Sequence, residues 1–478
     1  MLQSFRIGFA TNSSSTHSVI MHSKWAKDLT QMDTGFSIER YGDEKSIEQD
    51  FRLTTPESKL KFLLLANLLR QGQKVSAHKT IEIHTALKGL ASRHNIDIDA
   101  VIEEISGAHL PRNPAMGVCP PGINISDWFD FFVESPIGVY GYYDNDDLED
   151  VVTDLCGIEM DYHHLRWKQD GSAIVGYDNQ TGHKFRWSRE AYEKSTTPEL
   201  VDVKITDFCG YGCDFGYQGS TKSGQHARME DLEAIFDQLK AMDVFEVAIG
   251  GGEPAHHPQF ADIIRMADDR NLTFNFTAYG TDWSKNPEVI SALKHRWASI
   301  FAGSGVGLSV HAAKDLLKRK RAEENLREAK CYGTYITPQT VIGATPMKVT
   351  WDLVNRCIEN QTPLILLGFK RTGRGKDFRV SGAERADVKK LLEHIKGNLD
   401  NGEPIDGSNF HLSVDTAFLD LYGDVLDEME VPTILRTSPE GKFSMYVDAV
   451  EMTAGPSSYC DPSLMEPVGD LKAQFATY

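Results

Sequence analysis

The stretch that decides the fold runs from Ile205 to Ser220 and reads ITDFCGYGCDFGYQGS. It places Cys209 and Cys213 four residues apart in a glycine-rich loop, and Gly216 and Tyr217 follow shortly after the second cysteine. Cysteine thiolates are the ligands that hold iron–sulfur clusters in proteins. The pair is therefore the first indication of chemistry in this chain.

The chain of 478 residues is acidic and otherwise has the composition of an ordinary globular protein. It carries 50 Lys and Arg residues against 69 Asp and Glu residues, a formal net charge of -19. Binding to nucleic-acid backbones without sequence preference needs a basic surface, so we do not expect it. The basic run Lys318 to Arg321 is interpreted as the solvated face of a helix.

Neither export nor a membrane span is expected. The longest apolar run, Phe62 to Ala66, is far too short to cross a bilayer, and the N-terminus lacks the pattern of a secretory signal. The cysteines are scattered, at positions 119, 156, 209, 213, 331, 357 and 460, apart from the one close pair. Such a set indicates reduced thiols rather than a disulfide framework. The sequence therefore predicts a cytoplasmic protein without a membrane partner.

From Val201 onward, strand patterns and helix patterns alternate. After the first strand, for example, apolar residues recur at Leu232, Ile235, Phe236 and Leu239, the spacing of a buried helix face. Six strands, each followed by a helix, imply a parallel sheet whose sites lie at the carboxyl ends of the strands. The predicted strands are Val201–Ile205, Val244–Ile249, Leu272–Thr277, Val306–Val310, Tyr335–Ile342 and Leu364–Leu367.

The cysteine loop after the first strand resembles the cluster loop of the radical S-adenosylmethionine (SAM) enzymes. The family pattern is C-x3-C-x2-C with an aromatic residue beside the last cysteine. Cys209 and Cys213 match it, Tyr217 supplies the aromatic residue, and Gly216 stands where the third cysteine belongs. The resemblance covers about Pro198–Phe378 and implies the fold class: α/β, with a partial (β/α)6 barrel of radical SAM type.

The resemblance also implies cofactors. In the family, three thiolates hold a 4Fe-4S cluster, SAM chelates the remaining iron, and an electron from the cluster splits SAM into methionine and a 5′-deoxyadenosyl radical. Cys209 and Cys213 would be the metal ligands here. With Gly216 in the third position we expect the cluster to be labile or absent, and Asp214, His226 and Cys460 remain open as substitute ligands.

The run Gly250–Pro254, GGGEP, follows the second strand and is similar to the family's GGEP motif. In the family this motif holds the amino group of SAM, which makes Gly251, Gly252, Glu253 and Pro254 candidate cofactor-binding residues. Independently, glycine lets a backbone approach a ligand closely and a carboxylate pairs with an ammonium. The alternative is a tight turn with a solvated glutamate.

Weaker matches follow the later strands. Ser309 resembles the family's contact with ribose and carboxylate, and Gly343 lies in a segment similar to the one that borders adenine. His311 either faces the cavity or packs. Arg371 or Arg374 either holds an anionic substrate group or is a solvated loop cation.

We expect three parts: residues 1–195, an N-terminal α+β region of unknown role; 196–380, the barrel; and 381–478, a small C-terminal extension that covers the barrel. Because the last part offers only Cys460, no second cluster is expected. The first functional hypothesis is a radical SAM-like enzyme that acts on an unknown protein or small molecule and needs an electron donor. The alternative is a catalytically inactive scaffold or regulatory binding protein without a stable cluster.

Overall fold

The structure is a computed structural model that describes residues 165–478 except 301, 382, 402–409, 432–435 and 437–439. Before residue 165 it describes the ranges 2–6, 9–10, 18–22, 39–41, 44–46, 51–68, 77–105, 108–109, 119–135, 137–144, 147–155 and 158–161. The chain forms two compact units. The first comprises Met1–Gln3, Lys24–Asp178 and Lys184–Tyr192, and the second comprises Ser4–Ser23, Asn179–His183 and Glu193–Tyr478.

The first unit combines helices and strands. Its described helices are Pro56–Leu68, Ala77–Arg93, Ile98–Ile105 and Ile125–Glu134. Its longer strands form two antiparallel sets, Phe51–Leu53, Ile137–Asp144, Asp147–Leu155 and Ile158–Asp161, and then Leu165–Asp170, Ala173–Asp178 and Lys184–Trp187. Phe131 stacks on Phe185 and meets Trp187 edge-on, so aromatic side chains form much of this core.

The second unit is built on one sheet in which eight parallel strands lie side by side. In sheet order they are His411–Val414, Leu364–Leu367, Thr334–Val341, Ser304–Ser309, Thr273–Ala278, Glu246–Gly251, Leu200–Thr206 and Ser444–Asp448. Antiparallel strands extend the two edges: Ser18–His22 on one side, Thr453–Gly455 and Glu466–Pro467 on the other. All six predicted strands are confirmed in consecutive order, which is the expected partial barrel. The two outermost parallel strands come from the predicted C-terminal extension.

Helices follow the parallel strands and bury their apolar faces against the sheet. Leu232, Ile235, Phe236 and Leu239 are completely buried, which confirms the spacing noted in the sequence. No helix in the described ranges is both long and apolar enough to span a bilayer. The helices are Met229–Ala241, Phe260–Asp268, Pro287–Ile300, Lys318–Glu328, Met347–Glu359, Arg385–Asn401, Thr416–Glu428 and Leu471–Thr477.

The amino end of the barrel is closed by the chain's own N-terminal segment. Arg6 forms a buried ion pair with Glu246, the first residue of the second barrel strand, at 2.5 Å. Glu246 also accepts hydrogen bonds from the backbone of Ala10 and from the side chain of Asn275. The chain's own N-terminal residues thus pack against the amino end of the barrel strands.

Candidate functional site

A cavity of about 970 Å³, including the space open to solvent, lies at the carboxyl ends of the barrel strands. It brings together most of the candidate residues from the sequence, although they belong to separate loops. The candidates that line it are Cys209, Cys213, Tyr217, Gly251, Gly252, Glu253, Pro254, Ser309 and His311.

Gly343 does not line this cavity; Val341, two residues earlier, does. Gly343 has a φ of 84°, and a Cβ at this position would lie 2.4 Å from Val380 and 2.8 Å from Ala383. The glycine is therefore explained by the turn after the fifth strand and its close packing.

The cysteine loop is closed by its own backbone. The N–H of Cys209 donates to the carbonyl of Thr221 at 2.9 Å, and that of Gly216 donates to the carbonyl of Cys213 at 3.0 Å. Burial, and secondly the neighbouring Cys209, raise the pKa of the Cys213 thiol, while Arg374 opposes the shift. Burial therefore favours the neutral thiol of Cys213 in the metal-free chain.

The glycines of the GGGEP run pack against the cysteine loop. The N–H of Gly252 donates to the carbonyl of Thr206 at 2.8 Å, and the N–H of Glu253 donates to that of Phe208 at 2.9 Å. A Cβ added to Gly251 would lie 2.2 Å from the carbonyl oxygen of Thr206. A Cβ added to Gly252 would lie 2.1 Å from the carbonyl oxygen of Phe208. The close approach that requires glycine here is therefore between two loops of the chain itself.

Glu253 is a buried ionisable residue of the site, with only 2% of its surface exposed. Its Oε2 accepts the N–H of Tyr279 at 2.9 Å, whereas its Oε1 has no hydrogen-bond partner in the described part of the chain. Burial raises the pKa of this carboxyl to about 7, because it outweighs the hydrogen bond from Tyr279, the influence of the nearby Gly280 N–H and the charge of Lys318. The alternative of a solvated glutamate is thereby wrong.

Gln339 is a polar residue of the cavity that the sequence did not indicate. It pairs in register with Ser309 across the fourth and fifth strands, and its Nε2 donates to the Ser309 Oγ at 3.1 Å. Its Oε1 is buried and has no partner within the described ranges. The available signal was a glutamine within a strand that is otherwise apolar or β-branched.

One wall of the cavity is aromatic. The rings of Tyr211 and Tyr279 meet edge-on at 4.7 Å, and His311 stacks on Tyr279 at 5.5 Å. The Tyr279 hydroxyl donates to Asp315, and the Lys318 ammonium lies 3.1 Å from the centre of the Tyr279 ring. Burial lowers the pKa of His311 to about 4, so this imidazole is neutral at pH 7. His311 both packs and lines the cavity.

Cations occupy the side formed by the sixth strand. Lys370 lies 4.4 Å from the ring centre of Tyr217 and 4.8 Å from that of Tyr459. Arg374 lines the cavity, whereas Arg371 does not. The Arg374 side chain donates to carbonyls of the cysteine loop, so it is not a solvated loop cation.

None of the substitute metal ligands considered from the sequence lines this cavity. Asp214 is exposed. The Nδ1 of His226 lies 2.8 Å from the Thr206 hydroxyl, in a hydrogen bond. Cys460 lines a different cavity, together with Tyr459. Across the described residues, no group of three or more His, Cys, Asp or Glu side chains is arranged to hold a metal ion.

The residues fit the two expected cofactors unequally. A buried carboxylate with an unpartnered oxygen suits the ammonium of SAM. A 4Fe-4S cluster held by three protein thiolates does not fit, because only Cys209 and Cys213 are present. The space beside Gly216 is filled by the Arg374 guanidinium.

These features define a barrel with a cofactor cavity at the carboxyl ends of its strands. Residues 203–330 match the family model of the radical SAM superfamily. This segment is therefore a radical SAM domain, as the cysteine loop and the GGGEP run implied.

Two similar proteins illustrate how far the likeness extends. Mycofactocin maturase MftC of Mycobacterium ulcerans (strain Agy99) is 30% identical over 97 residues, which are 20% of this chain and 26% of MftC. The SAM-bound crystal structure of SuiB from Streptococcus suis is 16% identical, covering 55% of this chain and 61% of SuiB with a TM-score of 0.40. The chain thus spans about a quarter of the curated relative that it matches.

Proposed function

We propose that this chain binds S-adenosylmethionine in the cavity at the carboxyl ends of the barrel strands, as a protein of radical SAM type. The match of residues 203–330 to the family model supports this class of ligand. The observation that carries the proposal is Glu253, a buried carboxylate that lines the cavity and has one unpartnered oxygen. A buried polar atom without a partner is costly, and a ligand ammonium would satisfy it.

In this proposal different residues of the cavity contact different parts of SAM. Glu253 pairs with the ammonium of SAM, and Ser309, held by Gln339, approaches the ribose or carboxylate. Val341 rather than Gly343 lines the cavity after the fifth strand, so it takes the place expected for the residue that borders adenine. The wall of Tyr211, Tyr279 and His311 excludes water and adds no positive charge.

Radical SAM chemistry would act on an unknown protein or small molecule and would require an electron donor. A bound cluster supplies the electron that cleaves SAM in the family. Because this chain's two thiols do not match the three-thiolate donor set, we assign no reaction step to a cluster. SAM binding is accordingly the part of the function that the geometry supports best.

Calorimetry with SAM tests the proposal. We expect Glu253→Gln to weaken binding about 10-fold to 100-fold, since a hydrogen bond to a charged group contributes about 1.5–3 kcal/mol. Asp214→Asn is the matched control, because it removes an exposed carboxylate of the cysteine loop. Equal binding by the unmodified chain and Glu253→Gln, or no binding by either, would contradict the proposal.

The second candidate is a scaffold or regulatory protein that keeps the SAM cavity without radical chemistry. It is favoured by one observation, the guanidinium of Arg374 beside Gly216. Assay of 5′-deoxyadenosine under strong reductant, after anaerobic treatment with iron and sulfide, separates the two candidates. Formation of this product by the unmodified chain would establish the enzyme, and SAM binding without product would favour the scaffold.

A further inference from the structure

Arg374 lies against the part of the cysteine loop in which a third thiolate would stand. It belongs to the short 3-10 turn Gly373–Lys376, which follows the sixth barrel strand. Its Nε donates to the carbonyl of Cys213 at 2.9 Å, and its Nη1 donates to the carbonyl of Ser220 at 2.5 Å. Its backbone N–H donates to the carbonyl of Gly216 at 3.1 Å. A single residue therefore binds three carbonyls of the loop.

The chemistry of the side chain suits this arrangement. A guanidinium is planar, always charged, and presents several N–H donors in a fixed fork. Hydrogen bonds from a charged donor are stronger than those between neutral groups. The guanidinium thus binds one carbonyl on each side of the loop, that of Cys213 and that of Ser220. This restrains the backbone between them.

The same guanidinium fills the space beside Gly216. A Cβ built on this glycine would lie 2.7 Å from the Arg374 Nη2 and 3.4 Å from its Cζ. The first distance is shorter than real Cβ contacts, so one of the two groups would have to move. A cysteine at position 216 and Arg374 in its present position therefore exclude each other.

The rest of the turn adds to the contact. The Thr372 hydroxyl donates to the carbonyl of Tyr217 at 3.1 Å. Gly373 adopts a φ of 53°, and a Cβ there would lie 2.3 Å from the Tyr217 carbonyl oxygen and 2.6 Å from the Gly219 nitrogen. The turn after the sixth strand thus follows the cysteine loop closely along Gly216–Gly219.

We infer that Arg374 takes the position and the loop-closing role of the third cluster ligand, so that this loop folds around a guanidinium and needs no iron. The inference goes beyond the proposed function, because it concerns the loop and not SAM. The inference about Arg374 would still hold if the chain did not bind SAM.

Amide hydrogen exchange of the iron-free chain, without SAM, tests the loop-closing role. The N–H groups of Gly216 and Gly219 both donate within the loop, so their exchange reports its opening. In Arg374→Ala we expect these amides to exchange at least about tenfold faster. Arg374→Lys keeps the charge but not the fork, and we expect it to resemble the alanine variant. The control is Lys376→Ala, which removes an exposed cation of the same turn.

The amides of the first strand, Leu200–Thr206, separate a local effect from general unfolding. They lie in the middle of the parallel sheet and exchange only when the sheet opens. If Arg374→Ala destabilises the whole chain, loop exchange is compared in Arg374→Lys instead. This comparison tests the loop-closing role when the strand amides of Arg374→Lys remain protected. Equal loop exchange in the Arg374→Lys and Lys376→Ala variants would overturn the inference.

Iron content after anaerobic treatment with iron and sulfide tests the exclusion. We expect the double variant Gly216→Cys with Arg374→Ala to hold more iron than either single variant, and Gly216→Cys alone to hold little more than the unmodified chain. If Gly216→Cys alone holds as much iron as the double variant, Arg374 does not compete for the third position and the inference is wrong.

Discussion

The two ends of the cysteine loop are held in different ways. The first end, from Thr206 to Cys209, is bound by the backbone of the GGGEP run, whose glycines leave no room for any side chain. The second end, from Cys213 to Ser220, is bound by the side chain of Arg374. The first contact joins the ends of two adjacent strands, whereas the second comes from the turn after the sixth strand, chiefly from Arg374. We propose that the contacts around Glu253 can therefore be kept while the segment from Cys213 to Ser220 changes.

The largest expected effect is on the free energy of unfolding, and it should differ between a glycine at the first end of the loop and one at the second. Gly251→Ala should destabilise the chain by about 3 kcal/mol or more, since the Cβ would meet the carbonyl of Thr206 and φ is 121°. Gly216→Ala should cost about 1 kcal/mol, because the clashing atom is the end of a movable side chain. Urea unfolding measures both.

A third glycine provides the control for this contrast. Gly397 lies within the helix Arg385–Asn401, and a Cβ there meets nothing within 4 Å. Gly397→Ala should stabilise the chain by about 0.5–1 kcal/mol. Equal destabilisation by Gly251→Ala and Gly216→Ala would show that the two ends of the loop do not differ as described.

The second effect is a pH dependence from Glu253. The pKa of this carboxyl is about 7 in the folded chain, against 4.5 for an ordinary glutamate. Its contribution to stability is therefore complete below about pH 4.5 and is lost as the pH rises through 7, a change of about 3 kcal/mol. Glu253→Gln should remove this part of the pH profile. Identical profiles from pH 5 to 8 would contradict the burial of an ionisable group here.

SAM binding should show the opposite trend with pH. The ionised carboxylate is the form that pairs with an ammonium, so affinity should increase as the pH rises from 6 to 7.5. In Glu253→Gln the remaining binding should not change over this interval. A constant affinity in the unmodified chain would place the ammonium of SAM elsewhere.

The smallest effect concerns the fourth and fifth strands. Gln339→Leu removes the donor to Ser309 and the buried amide oxygen. We expect SAM binding to weaken about fivefold, the loss of one neutral hydrogen bond of about 1 kcal/mol. Thr334→Val, a change at the start of the fifth strand, is the control. No change in Gln339→Leu would remove this glutamine from the SAM side.

The fold and the position of Glu253 and Ser309 beside one cavity followed from the sequence, because each depends on neighbours along the chain. Six strand-and-helix repeats specify a parallel sheet, and the residues after each strand then meet at one edge. The contact of Arg374 with Cys213 spans 161 residues, and no local pattern indicates it. Gly343 does not line the cavity, and the turn and its close packing with Val380 and Ala383 are likewise not indicated by a local pattern.

The central proposal is that SAM binds to this cavity without a cluster. Its most direct test is the dissociation constant of SAM for the unmodified chain, measured by calorimetry before and after anaerobic treatment with iron and sulfide. The account predicts the same dissociation constant in both states, because Glu253 and the loops that position it require no iron. Binding that appears only after the treatment would contradict the account.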